Sequence, residues 1–276
     1  MSLFFVNEKT CNQDGLCAAV CPMGIIDFER DAFPVPGADA ENLCITCGHC
    51  VAVCPTASLS HRNMAPEKCP PVRTEFQLTP EQCEHFLRSR RSIRAYRDKP
   101  VSRTELTRLI EIASHTPSGH NSQSPRWRVI DSVMQIRKLA GIVIDWMRWM
   151  TENQPMIAAD LHMDRAVHRW EAGTDVILRG APALIVAHAD KTDRTAPAAC
   201  SIALAYLELA AVSMGLGTCW AGYFWAASLS FPPLINALAL PEGHQSYGAM
   251  MVGYSKFAYK RLPLRNSPAI SWWNEG

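Results

Sequence analysis

The chain has almost no charge of either sign to spare. Its 27 Lys and Arg nearly balance 26 Asp and Glu, leaving a formal net charge of +1 over 276 residues. That balance removes the electrostatic case for nucleic acid or an anionic membrane as chief partner. An uninterrupted apolar run of about 18 residues is also lacking. The nearest candidate, residues 196–216, carries Glu208, so no membrane span is expected. The opening MSLFFVNEKTCNQDG lacks the basic stretch and following apolar stretch of a secretory signal, which predicts a cytoplasmic protein. Disulfides are an uncommon use of thiols there. Neither a GxGxxG after a strand nor a Ser/His/Asp triad is found, so the sequence offers no dedicated dinucleotide site and no catalytic side chain. With 48% hydrophobic and 19% charged residues, the chain is not mainly disordered.

Cysteine is what the sequence does have. Of eleven, seven fall in the first 54 residues: Cys11, Cys17, Cys21, Cys44, Cys47, Cys50 and Cys54. Composition changes near residue 64. Residues 1–64 hold three Lys/Arg and seven Asp/Glu, a net of −4, while the remainder carries +5 and all eight tryptophans. Between them, Ala65 to Pro80 contains Pro66, Pro70, Pro71 and Pro80 with little apolar periodicity, which reads as an extended linker. Three segments follow: a small domain at 1–64, a linker at 65–79 and a large domain at 80–276.

The small domain is an internal repeat. A shift of 33 residues maps 11 to 44, 14 to 47, 17 to 50 and 21 to 54, and Pro22 to Pro55. The second copy, Cys44-x2-Cys47-x2-Cys50-x3-Cys54-Pro55, has the spacing of bacterial iron–sulfur ferredoxins, in which the fourth cysteine serves the other cluster. Crossing the fourth ligands gives one site of Cys44, Cys47, Cys50 and Cys21. The other is held by Cys11, Cys17 and Cys54, with Asp14 where the repeat calls for cysteine. Two [4Fe-4S] clusters are expected. Carboxylate holds iron less tenaciously than thiolate, so the Asp14 site is the one open to losing an iron and persisting as [3Fe-4S]. The alternative is that Asp14 only turns the loop before Gly15. Cys69, Cys83, Cys200 and Cys219 extend neither motif, and the first three read as plain thiols.

In the large domain, Thr79-Pro80-Glu81-Gln82 and Ser102 with Glu105 read as two capped helix starts, the second followed by Leu106, Leu109, Ile110 and Ala113 at helical spacing. Helices are also expected over 135–150 and 197–214, the latter stopped by Gly215 and Gly217. Buried strands are expected over 183–188 and 249–253. The class is α+β: a small ferredoxin-like domain, then an α/β layer domain whose mixed sheet is flanked by helices. RSRRSIR at 88–94 places four arginines and two serines in seven residues. That density suits either a solvated face or a phosphate.

Four segments, RRSIRAY at 90–96, TPSGHNSQ at 116–123, GLGTCWAGYF at 215–224 and KRLP at 260–263, together resemble the nitroreductase family of flavoproteins. The whole chain resembles its subgroup with an N-terminal two-cluster ferredoxin domain. The resemblance implies FMN bound by an obligate homodimer. It implies that Arg90, Arg91 and Ser92 hold the ribityl chain and phosphate, with Arg94 near N1 and O2 of the ring. Pro117, Ser118, Gly119, Asn121 and Gln123 match the loop laid against the partner's flavin. Ala221 and Gly222 would present backbone near N5, and Arg261, helped by Lys260 and Arg265, would contact phosphate. The sequence departs from the family in placing Ser124-Pro125-Arg126-Trp127 after Gln123, and in having Ala221 where an acidic residue is common. Trp220, Tyr223, Phe224 and Trp225 read either as pocket lining or as core, and His115 and His120 either as proton donors or as surface residues. The implied activity passes electrons from a ferredoxin or NAD(P)H, through the clusters and FMN, to an organic acceptor such as a nitro compound or quinone by hydride transfer. The competing readings are an electron-transfer module serving a protein partner and a specialised flavin-dependent biosynthetic enzyme.

Overall fold

The computed structural model describes residues 2–273; the outer bounds of the expected segments, 1 and 276, lie outside it. The chain forms two compact units. One comprises residues up to Gln77 together with Gly119–Ser122, the other Leu78–Ser118 and Gln123 onward.

The first unit carries the repeat into three dimensions. Strands β1 (Phe4–Val6), β2 (Ile26–Asp27), β3 (Val35–Pro36) and β4 (Leu59–His61) form two antiparallel ribbons, β1 with β4 and β2 with β3. Helices α1 (Leu16–Ala19) and α3 (His49–Val53) start 33 residues apart, with α2 (Ala40–Leu43) between them. The same 33-residue step recurs in left-handed backbone: φ is 56° at Gln13 and 53° at Thr46, 70° at Gly15 and 75° at Gly48, 61° at Gly24 and 52° at Ala57. Such conformations are costly for residues other than glycine and occur where the surroundings impose them. The core beneath is small: Leu3, Phe4, Ile25, Ile26 and Leu59 with Ala40, Val51 and the thiol of Cys17. The Pro-rich stretch after it is exposed and holds two short turns of 3₁₀ helix, Pro66–Lys68 and Thr74–Phe76.

The second unit is a three-layer arrangement. Its helices are α4 (Pro80–Ser89), α5 (Arg103–Ala113), α6 (Val133–Asn153), α7 (Pro155–Asp160), α8 (Met163–Glu171), α9 (Ala196–Ser213), α10 (Gly222–Ser230) and α11 (Pro232–Leu238). Strands β5 (Arg126–Ile130), β6 (Ala183–Asp190), β7 (Gly217–Trp220) and β8 (His244–Gly253) form a sheet in the order β5-β6-β8-β7, every pair antiparallel. Ser92 adds a parallel bridge to Thr218 beside β7, which makes the sheet mixed at that edge. Both expected capping boxes form. Thr79 and Gln82 exchange hydrogen bonds at the start of α4, as do Ser102 and Glu105 at the start of α5.

β6 is apolar on both sides because both its faces are covered. Leu184 and Val186 pack with α6, α10 and α11, and Ala183, Ile185, Ala187 and Ala189 pack with α5 and α9. α9 is long and apolar enough to cross a membrane by length and composition, and 44% of that span is buried inside the protein. Its buried residues form the second of these layers. Gly217 was expected only to end α9; it also opens β7. The reason is close approach: a Cβ at Gly217 would lie 2.4 Å from Ile93 Cγ1. Without that carbon, Ile93 N donates to Thr218 O at 2.8 Å and the arginine-rich segment lies flush against the sheet.

Candidate functional site

In the first unit the cysteines meet as crossing of the two copies requires. Cys17 lies within electrostatic reach of Cys11 and Cys54, and Cys50 within reach of Cys47 and Cys21. Cys21, Cys44, Cys47 and Cys50 wall one small cavity of about 30 Å3. No three His, Cys, Asp or Glu among the described residues are gathered tightly enough for a single metal ion. Thiolates at the corners of an iron–sulfur cubane stand farther apart than the ligands of one zinc, so this donor set fits clusters.

The backbone is turned toward the sulfurs. Thr46 N donates to Cys44 Sγ at 3.4 Å and Ser58 N to Cys54 Sγ at 3.2 Å. Asn63 N donates to His61 Nδ1 at 3.1 Å, which leaves the ring proton on Nε2, 3.6 Å from Cys44 Sγ. Burial pushes the Cys17 thiol up, and takes Cys50 to about 11. At Cys54 burial acts in the same direction, but hydrogen bonds from Thr56, Leu59 and Ser58 outweigh it and hold the thiol below its ordinary value. Asp14 is exposed, and its Oδ1 accepts from Leu16 N at 3.0 Å. This is a turn that uses one carboxylate oxygen and leaves the other. In the same unit the side-chain amide of Asn121 donates to Ile45 O at 3.1 Å and Thr46 O at 3.0 Å.

In the second unit, Arg94 and Gly222 line one cavity of about 420 Å3, together with Cys219, Trp220 and Tyr223. A Cβ at Gly222 would meet only Trp220 Cδ1 at 3.9 Å, so the missing side chain leaves open space there. Open backbone beside a guanidinium is the surface a flat, electron-accepting ring needs, and FMN fits this cavity. Ala221 is buried, its N–H donating to Ala249 O at 2.9 Å.

The other arginines are partly spoken for. Arg90 Nη1 donates to Glu208 Oε1 at 3.0 Å, and Arg91 donates to the carbonyls of Arg88 and Ser89. Arg94 donates to Ser92 O at 3.4 Å. Ser118 and Gln123 lie elsewhere, on a cavity of about 500 Å3, where Gln123 N donates to Ser118 Oγ at 2.9 Å. Pro117 precedes that turn, and Gly119 opens the short helical turn that ends at Asn121. Lys260, Arg261 and Arg265 are on the exposed extended segment after β8. Within the second unit, then, Arg94 and Gly222 share one cavity, while Ser118 and Gln123 line another.

The four aromatics divide. Trp220 and Tyr223 face the cavity, Phe224 is fully buried in the core, and Trp225 packs edge-on against Trp220 and donates its indole N–H to Ser246 O at 3.3 Å. Sequence reasoning missed Arg179, which lines the same cavity. Its only local signal is the R-G step that follows Asp175.

A dicluster ferredoxin-like unit and a flavin-type layered domain on one chain define a redox protein built to carry electrons. Residues 10–59 match the 4Fe-4S dicluster domain, and residues 87–254 match the Nitroreductase family. The first unit is similar to "Ferredoxin 7Fe" of Hydrogenibacillus schlegelii, 34% identical over 66 residues, covering 23% of this chain and 80% of the ferredoxin. The fold is similar to the nitroreductase with bound FMN from Bacteroides fragilis (TM-score 0.58, 21% identity, 69% of this chain and 98% of that one). It is also similar to the nitroreductase with bound FMN from Desulfitobacterium hafniense (TM-score 0.57, 22% identity, 71% and 100%). The chain belongs to the nitroreductase family, as an oxidoreductase with an iron–sulfur domain ahead of its family domain.

Proposed function

We propose that this protein takes electrons one at a time from a reduced ferredoxin, or in pairs from NAD(P)H, and delivers them to a small organic acceptor at an FMN held by the second unit. The observation that carries this is the coexistence, on one chain, of two thiol sets crossed between repeats and a cavity that joins Arg94 to the bare backbone at Gly222. FMN, when bound, supplies the exchange between single electrons at clusters and pairs given as hydride to an organic molecule. Two electrons and two protons convert a nitro group to a nitroso group and water, or a quinone to a hydroquinone.

The chain's part is to bind, orient and exclude water. Arg94 holds a fixed positive charge where a reduced ring is negative, which favours reduction. Ser92, Arg91 and Arg90, with Arg261, Lys260 and Arg265, supply donors for the ribityl chain and phosphate. Glu208 keeps Arg90 in one orientation. Pro117, Ser118, Gly119, Asn121 and Gln123 serve the ring of a second copy; the likeness of TPSGHNSQ at 116–123 to the family's partner-facing loop supports a homodimer, and the cytoplasm is the compartment assigned to it. Cys44, Cys47, Cys50 and Cys21 hold a [4Fe-4S] cluster, and Cys11, Cys17, Cys54 and Asp14 hold the other. The likeness to a seven-iron ferredoxin supports [3Fe-4S] as the form left when the Asp14 site gives up one iron.

Anaerobic purification with iron, sulfide and flavin analysis tests the cofactors, and stopped-flow reduction by NADH, NADPH and reduced ferredoxin followed by turnover on nitroarenes and quinones tests the activity. Fast flavin reduction without turnover on any small molecule would leave the electron-transfer module as the reading. In the Asp14→Ala variant the EPR spectrum of one cluster changes; two unchanged spectra would remove Asp14 from the iron.

A further inference from the structure

The cavity that joins Arg94 to Gly222 holds a second guanidinium. Arg179 lies on its wall, on the loop between α8 and β6. This residue has φ 58° and is followed by Gly180 at φ 60°. A left-handed arginine persists only where its surroundings impose it. Here they do: the carboxylate of Asp175 accepts from Ile177 N at 2.9 Å, Leu178 N at 3.0 Å and Gly180 N at 3.0 Å. Ala181 N closes the turn on Leu178 O at 2.9 Å. A loop with its carboxylate fully used on its own backbone fixes Arg179 at the cavity while offering it no counter-charge.

Nor does the cavity offer one, for no Asp or Glu lines it. Arg94 and Arg179 both act on the thiol of Cys219 and the phenol of Tyr96, so the two positive charges converge on one place; Glu208, which also reaches Cys219, is already paired with Arg90. Among the described residues Arg179 has no hydrogen-bond or ion-pair partner. A guanidinium on a cavity wall that offers no counter-charge suits a ligand that brings anionic oxygens. The remaining surface, from Trp146, Trp220, Tyr223 and Met251, is aromatic and apolar.

We infer that Arg179 determines substrate class: it grips the carboxylate of an aromatic acid whose ring lies on the apolar wall, leaving Arg94 to the flavin. This rests on reading the cavity as the flavin's. A planar fork matched to two carboxylate oxygens is the geometry arginine provides and lysine does not. The Asp175 loop fixes the backbone that carries that fork, so the loop need not be ordered when the substrate binds.

The test is a titration of the full, FMN-loaded oxidised protein with 4-nitrobenzoate and with 4-nitrobenzamide, which share a ring and nitro group and differ in charge. Binding is read from the visible flavin spectrum, independently of turnover. Wild type is expected to bind the acid at least about tenfold tighter than the amide, the scale of a charge-assisted hydrogen bond. Arg179→Gln abolishes the preference and Arg179→Lys restores part of it. Added salt weakens the acid and not the amide, which keeps the question decidable in wild type if a variant fails to fold. Equal affinities in wild type, no spectral response to either compound, or a preference that survives Arg179→Gln would overturn the inference. So would loss of FMN from Arg179→Gln, which would make Arg179 a cofactor ligand. Failure of the wild-type protein to bind FMN at all would instead sink the flavin reading beneath it.

Discussion

The two units are held together by different physics. The first has five large apolar side chains in its core, with two small residues and a thiol. The second packs Phe224, Leu184, Ile144, Met147 and many others on one face of its sheet, and Leu109, Leu204 and Ile185 on the other. Burial of apolar area at roughly 25 cal/mol per Å2 can stabilise the second. It cannot offset the backbone ordering of the first, which accepts left-handed geometry at Gln13, Thr46 and Ala57 as well. A region whose loops are shaped around thiols depends on what those thiols bind, whereas a region shaped around its core does not.

The sharpest way to break this comparison is to remove the iron. Chelation of the full chain under reducing conditions is expected to abolish amide protection throughout residues 2–77 and to leave that of β6 and β8 unchanged. Hydrogen exchange read by mass spectrometry checks it, and persistence of protection in the first unit would mean that its small core suffices.

A smaller effect, confined to the second unit, comes from protonation. His188 on β6 is 5% exposed, and its Nδ1 is 3.0 Å from Nδ1 of His244. Burial, then the charges of His244, Arg128 and Arg126, bring His188 down to about 4 from an ordinary 6.5. The unfolded chain therefore binds a proton between those values that the folded chain refuses. Stability is intact above about 6.5 and falls as the pH drops toward 4, by at most about 3 kcal/mol. Denaturation at pH 7 and pH 5 should show a drop in wild type that is reduced in His188→Gln. An equal drop in both would place the acid sensitivity elsewhere.

The smallest effect is local. Ser102→Ala removes the N-cap of α5, where Glu105 N donates to Ser102 Oγ at 3.2 Å, and should cost about 1 kcal/mol. Measured by urea denaturation of the second unit, this loss should leave the cluster spectra untouched. A change in those spectra would show that the two units do not stand on separate footings.

What could be read from sequence was whatever is written locally. The capping boxes at Thr79 and Ser102 are four-residue signals, and the cysteine spacing is a covalent ruler, so both helix starts and the repeat are legible. The apolar strand at 183–188 and the helix at 197–214 follow from periodicity, with observed bounds Ala183–Asp190 and Ala196–Ser213. β5 was not legible because Arg126, Arg128 and Val129 are exposed and no clean alternation marks the strand. α8 begins at a left-handed His162 with no side-chain cap, so no start signal exists to read. The division of Tyr223 from Phe224 depends on which side of α10 meets the core, that of Trp220 on which face of β7 does, and Arg179 depends on a cavity closed by segments far apart in sequence. These are tertiary facts with no local trace.

The absent methyl at Gly217 has a consequence for how the seat proposed for the flavin phosphate responds to its surroundings. The arginine-rich segment touches the sheet through Ile93 and a backbone hydrogen bond to Thr218. Neither contact is ionic, and the ion pair of Arg90 with Glu208 leads to α9 and is mostly shielded from solvent. Raising the salt concentration therefore loosens the grip of those guanidinium groups on an anion while the backbone that carries them stays where it is. The seat is set by steric fit and the hold by charge, so a bound phosphate could be washed out with salt and returned to a site that has not moved.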